Sequence, residues 1–189
     1  MAAILQERRR RVNDKRSKRI RQRYDPRMSI RTALKMFEDG KLKRIFDDKD
    51  ALNMCTDASN TGCGAVLLHN RRTVSYLRDE QEHINVAEIK AITAAIRVLD
   101  LNYCSVRVWC DNQVAVYAIS KGFSPSLQIR LALEDLFMEI TERDIGIRMK
   151  WIPTADNIVA DKLSRAVTLD EEDYKITGKY VSQNILING

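Results

Sequence analysis

The stretch Met54-Cys-Thr-Asp-Ala-Ser-Asn-Thr-Gly-Cys-Gly-Ala-Val-Leu-Leu68 decides how this chain folds. An apolar run over residues 51–57 stops on Asp57, a turn follows at Asn60-Thr61-Gly62, and a second apolar run covers residues 63–69. Two such runs around a Gly-containing turn predict a β-hairpin. Residues 73–77 add a third strand across Asn70-Arg71-Arg72. Gly62 and Gly64 let the backbone come close to a ligand or to a neighbouring strand. Asp57 either caps the turn or reaches a ligand beyond the strand end.

Downstream the period changes. Residues 86–99 place Ile89, Ile92, Ile96 and Leu99 on one stripe, which predicts a helix. Residues 105–110 alternate, with Val106, Val108 and Cys110 on one face and Arg107 and Trp109 on the other. A short helix is expected over 112–120, stopped by Gly122 and Pro125, then a longer one over 126–143. Residues 145–152 read as a strand and 156–164 as a last short helix, whereas the tail from Val167 is weakly patterned and receives no fold. Three meandering strands followed by alternating helices and strands define an α/β fold, a five-stranded mixed sheet with helices on both faces. The expected divisions are a basic arm with a short helix over 1–45, the α/β domain over 46–166 and a tail over 167–189.

The chain has 189 residues, one domain's length, and is 44% hydrophobic and 31% charged. No run approaches the roughly 20 apolar residues of a membrane span, so no membrane partner is expected. Cys55, Cys63, Cys104 and Cys110 lack CxxC spacing; they read as reduced thiols of an intracellular protein, nuclear or cytoplasmic. Charge is unevenly placed. Residues 1–31 hold twelve Lys or Arg against three acids, giving +9, so with a total of +6 the remainder carries +6 − 9 = −3. Within that arm Arg9, Arg10, Lys15, Arg16, Lys18 and Arg19 are candidate phosphate contacts or an import signal, against the plainer reading of a solubilising tail.

Four carboxylates stand where decoration is a poor explanation. Asp57 and Asp111 each end a strand-like run, and Glu88 and Asp161 lie near helix starts. Each has an ordinary alternative. Asn85-Val-Ala-Glu88 has the form of a capping box with Asn85 as N-cap. Asp111 precedes a helix, though it shares the phase of Arg107 and Trp109 at a strand's carboxyl end, where α/β sheets bind ligands. Asp161 reads alternatively as a surface carboxylate one turn after Asn157. Converging acids repel and desolvate one another, so their convergence requires cations. Hard cations such as Mg²⁺ take oxygen ligands, and paired ions clamp phosphodiesters. Trp109 and Trp151 both lie inside strand-like runs, which predicts core packing rather than base stacking.

The ordered motifs Thr56-Asp57-Ala58-Ser59 with Gly62-Cys-Gly-Ala-Val, His83-Ile-Asn-Val-Ala-Glu88-Ile-Lys-Ala, Asp111-Asn112, Trp151-Ile-Pro153, and Asn157-Ile-Val-Ala-Asp161-Lys-Leu-Ser-Arg165 resemble ribonuclease H. The likeness covers about residues 52–165 and is greatest to the domain that follows reverse transcriptase in DIRS-type and related retroelements. It implies a ribonuclease H-like fold and an endoribonuclease that hydrolyses the RNA strand of RNA–DNA hybrids with two Mg²⁺ ions, Mn²⁺ serving as a substitute. By that resemblance Asp57 bridges both ions, Asp161 completes the site on the attacking side, and Glu88 with Asp111 holds the ion on the leaving side. Asn85 matches a polar position that touches the hybrid's minor groove, where 2′-hydroxyls distinguish RNA; Ser59 and Asn112 join it as nucleic-acid contacts.

Two features depart from the family pattern. The loop Pro153-Thr-Ala-Asp156 lacks the histidine of cellular enzymes, which implies slower turnover. Only about one helix fits between the helix after Asp111 and the last strand, so the basic handle of some relatives is missing. The arm, a reverse transcriptase domain in cis, or another protein subunit would then supply hybrid binding. A non-cleaving scaffold of the same fold, binding RNA or protein, is the alternative, although such scaffolds tend to lose one or more of the acids. Integrases and resolvases are a weaker fit, because integrases generally end their triad in glutamate.

Overall fold

The computed structural model describes residues 46–78 and 82–187; the basic arm, with Arg9, Arg10, Lys15, Arg16, Lys18, Arg19 and the helix expected before Gly40, lies outside the described residues. The described elements are β1 (Leu52–Ala58), β2 (Gly62–Leu67), β3 (Thr73–Leu77), α1 (Ile84–Val98), β4 (Ser105–Cys110), α2 (Gln113–Lys121), α3 (Leu127–Glu142), β5 (Gly146–Trp151), α4 (Ile158–Ser164) and α5 (Glu171–Ile187).

The strands form one five-stranded sheet in the order β3-β2-β1-β4-β5. β1 is antiparallel to β2 and parallel to β4, and β4 is parallel to β5. The sheet is therefore mixed, as the meander followed by alternation predicts. Strand alternation sorts its side chains onto two cores. Met54, Leu67, Val106 and Val108 pack with Ile89, Ile92 and Ile96 of α1 and Leu136 of α3. On the other face Cys55, Val66, Trp109 and Ile152 pack with Val159 and Ala160 of α4 and Val181 of α5.

Gly64 explains how α4 sits so close. A Cβ there would stand 2.5 Å from the Ala160 carbonyl oxygen and from the Ser164 nitrogen. The neighbour that needs glycine is thus a helix, not a ligand or a strand. The register pairs Thr56 with Cys110, so Asp57 and Asp111 lie level at the carboxyl ends of two parallel strands.

Three expectations need correction. Residues beyond 167 form α5, which covers Trp109; the Tyr180 ring meets the indole edge-on at 6.2 Å. Its start is capped reciprocally: the Asp173 amide donates to Asp170 Oδ1 at 3.0 Å and the Asp170 amide to Asp173 Oδ2 at 2.9 Å. Lys162 of α4 reaches Asp173 at 2.7 Å and Arg71 of the β2–β3 turn reaches Glu171 at 2.6 Å, so the first turn of α5 is tied both to α4 and to the sheet. Second, α1 begins two residues earlier than the capping-box reading required. His83 is its N-cap, with Nδ1 accepting from the Asn85 amide at 3.2 Å, and Asn85 is a helical residue. Third, Trp151 is 43% exposed and its indole donates to the Asp111 carbonyl at 3.0 Å, because β5 is an edge strand; only Trp109 is core.

Candidate metal centre

Four elements deliver the four carboxylates to one place. Asp57 is the penultimate residue of β1, and Asp111 follows the last residue of β4. Glu88 comes from α1 on one face of the sheet and Asp161 from α4 on the other. They meet beyond the carboxyl ends of the parallel strands. Glu88 is 2% exposed and Asp57 5% exposed.

Their ionisation reports how closely they gather. Burial pushes the Asp57 carboxyl up to about 6; the Ser164 side chain opposes this, and the Asp111 and Asp161 charges add to it. Burial, then the charges of Asp57 and Asp111, raises Glu88 to about 9 against the opposing Ala58 amide and Cys110 thiol. Two acids are driven toward neutrality by burial and by one another, and the Arg165 charge offsets this only in small part at Asp57. Asp57 Oδ2 is buried without a hydrogen-bond partner. Carboxylate oxygens of Glu88 and Asp111 and the sulfur of Cys110 all lie within 4.8 Å of one another. A buried orphan oxygen beside further carboxylates is a donor set that suits a hard divalent cation. Glu88 is therefore no capping residue: its side chain turns inward, where the Cys110 thiol donates to Oε2 at 3.7 Å.

The remaining partners fix the outer acids. The Thr154 hydroxyl donates to Asp111 Oδ2 at 2.7 Å. Arg165 donates through Nε to Asp161 Oδ1 at 2.9 Å, one turn along α4. Asn157 is fully buried and its side chain donates to the Thr56 carbonyl at 3.0 Å, pinning the start of α4 to β1. Arg165 was legible as an i, i+4 partner of Asp161; Thr154 and Asn157 carry no sequence signal for these contacts.

Of the expected nucleic-acid contacts, Asn85 and Asn112 are brought together: Asn112 Nδ2 donates to Asn85 Oδ1 at 2.9 Å, while Asn112 Oδ1 caps α2 through the Ala115 amide at 3.0 Å. Both are half-buried at the rim of the acidic site. Ser59 is different. It is buried, with Oγ accepting from the Gly62 amide at 3.1 Å and donating to the Ser164 carbonyl at 2.8 Å. Its hydroxyl staples the β1–β2 turn to α4. Among the described residues, no helix is long and apolar enough to cross a membrane.

The reverse transcriptase-like family model matches residues 50–167, and with this sheet and this end-of-strand acidic cluster in place, the chain belongs to that family. Solved structures share the architecture. LC11-RNase H1 in complex with RNA/DNA hybrid superposes with a TM-score of 0.54 at 20% identity, over 61% of this chain and 95% of that one. LC11-RNase H1 isolated from compost gives 0.52 at 22% identity, over 62% and 95%. The N-terminal RNase H domain of a Mycobacterium tuberculosis protein, solved as a fusion with maltose-binding protein, gives 0.50 at 16% identity, over 69% and 99%. The fold is ribonuclease H-like. No curated protein matches the chain. α5 lies beyond the matched family region.

Proposed function

We propose that this protein is a divalent-metal-dependent endoribonuclease that hydrolyses the RNA strand of RNA–DNA hybrids, with Mg²⁺ as its ion and Mn²⁺ as a substitute. The observation that carries the reading is the orphaned Asp57 Oδ2 inside a cluster whose other acids repel it. Asp57, Glu88, Asp111 and Asp161 would hold two ions, which when bound polarise the scissile phosphate and supply an activated water. The residues do the rest. Burial of Asp57 and Glu88 excludes water that would otherwise screen their charge. Thr154 orients Asp111, and Arg165 holds Asp161 while placing a cation at the rim. Asn85 and Asn112, locked together, present a rigid polar ledge suited to the minor groove of a hybrid, where 2′-hydroxyls mark the strand to be cut. The basic arm of residues 1–31 supplies salt-dependent phosphate affinity in this account, alone or beside a reverse transcriptase domain or another subunit.

The test is to incubate the full chain with a labelled RNA–DNA hybrid in Mg²⁺ or Mn²⁺, with Asp57→Asn in parallel. Cleavage by the wild type and not by the variant is expected. Hybrid binding without cleavage in either metal would move the protein to the non-cleaving scaffold reading.

A further inference from the structure

Cys110 is the one donor in this cluster that a magnesium site has no use for. It ends β4, is fully buried, and its sulfur stands 3.7 Å from Glu88 Oε2. Together with a carboxylate oxygen of Asp111, the three donor atoms fall within 4.8 Å of one another. Zinc bonds sulfur at about 2.3 Å and carboxylate oxygen at about 2.0–2.2 Å, so a tetrahedral centre separates those donors by about 3.5–3.7 Å. The observed Cys110–Glu88 spacing already matches that edge. A second observation points independently to a cation here: Asp57 Oδ2 is buried and lacks a partner, and the Asp57 charge acts on Glu88.

We propose that Glu88, Cys110 and Asp111 form a thiophilic cation site, of the Zn²⁺ class, superimposed on one half of the Mg²⁺ centre, and that its occupation switches the enzyme off. The inhibitory part rests on the ribonuclease reading above; the cation site itself does not. Soft sulfur ligands favour Zn²⁺ and its relatives over Mg²⁺, which prefers oxygen and water. On binding, the sulfur–hydrogen bond of Cys110 breaks, a sulfur–metal bond forms, and the proton leaves to solvent; nothing is oxidised or reduced. A cation held by Glu88 and Asp111 through a tetrahedral thiolate site removes those two carboxylates from the octahedral arrangement that Mg²⁺ demands. Entry is through Asp111, the half-buried member of the set. Among the described residues, Cys55, Cys63 and Cys104 belong to no comparable group of donors.

Co²⁺ titrated into the full-length apoprotein gives a direct readout, because thiolate coordination produces a near-ultraviolet charge-transfer band that oxygen ligands do not. The wild type should develop this band to saturation at one equivalent and lose it on adding Zn²⁺. Cys110→Ser should abolish it. Glu88→Gln, which keeps the thiol, should weaken Co²⁺ binding at least tenfold and guards against a misfolded serine variant. Absence of the band in the folded wild type, or its persistence in Cys110→Ser, would overturn the site. In cleavage assays containing Mg²⁺, low Zn²⁺ should inhibit the wild type at least tenfold more effectively than Cys110→Ser. Equal inhibition would overturn the switch. A chain that shows the band but cuts no hybrid refutes the ribonuclease reading and leaves the cation site standing; one that cuts hybrid without the band does the reverse.

Discussion

Replacing Asp57 with asparagine should make the metal-free protein more stable, although it removes a central residue of the site. The substitution keeps the side chain's shape and drops its charge. The carboxyl's pKa stands at about 6 in the fold instead of the usual 3.8. At about 1.4 kcal/mol per pKa unit, that difference makes ionised Asp57 cost the metal-free fold on the order of 3 kcal/mol. The sign follows from proton binding. The folded state holds the Asp57 proton more tightly than the unfolded state, so stability is fully present below about pH 4 and is lost as pH rises through about 6. Glu88, raised to about 9, adds a further loss that extends to higher pH, and part of its shift comes from the Asp57 charge. At pH 8 without divalent ions the variant should therefore melt on the order of 6–12 °C above the wild type, at about 2–4 °C per kcal/mol. At pH 4 the two should melt together. Adding Mg²⁺ at about one hundred times its Kd should nearly close the gap at pH 8, since a ligand at that excess stabilises by about 2.7 kcal/mol and the variant binds it less well. Differential scanning calorimetry at the two pH values, with and without Mg²⁺, measures all of this. A variant no more stable than wild type at pH 8, with the same response to Mg²⁺, would refute the reasoning that the acids form a frustrated cluster awaiting a cation.

Gly64→Ala should cost at least about 1–3 kcal/mol, because its Cβ meets backbone of α4 at 2.5 Å and cannot be accommodated by a flexible side chain. Cleavage should fall with it, since Asp161 rides on α4, and thermal melting paired with hybrid cleavage checks both effects. Deleting residues 169–189 should expose Trp109 and shift tryptophan emission to the red, with a loss of at least about 3 kcal/mol from uncovering that face. An unshifted spectrum would show that α5 is not part of the core. Asn112→Ala removes both the α2 cap and the Asn85 contact. It should cost about 1 kcal/mol of stability and raise the KM for hybrid several-fold with little change in kcat, read from steady-state kinetics.

The hairpin around Asp57 was legible because strand period, turn residues and glycines agree locally, and the alternation of Val106, Val108 and Cys110 gave the two faces of β4. What failed did so through contacts distant in sequence. α5 escaped notice because its buried positions Asp173, Thr177 and Val181 are mostly polar and only Trp109 and its neighbours make that face a core. The start of α1 was misplaced because Asn outranks His as an N-cap by propensity, yet here the His83 ring does the capping. Trp151 looked like core because strand period does not say which strand is at the edge. At the site, the four acids could be picked out by their positions at element ends. The approach of Cys110 to Glu88, the Thr154 contact to Asp111 and the burial of Ser59 depend on how α1 and α4 close over the strand ends, which no local pattern encodes.

The central claim is that these four carboxylates cut RNA opposite DNA. The most direct measurement is end-group mapping of products from a hybrid labelled on both strands, with Mg²⁺, with chelator, and with Asp57→Asn and Asp161→Asn. The account predicts internal RNA cuts leaving 5′-phosphate and 3′-hydroxyl ends, an intact DNA strand, and no cutting with chelator or with either variant. An uncut hybrid in both Mg²⁺ and Mn²⁺, or a variant as active as the wild type, would contradict it.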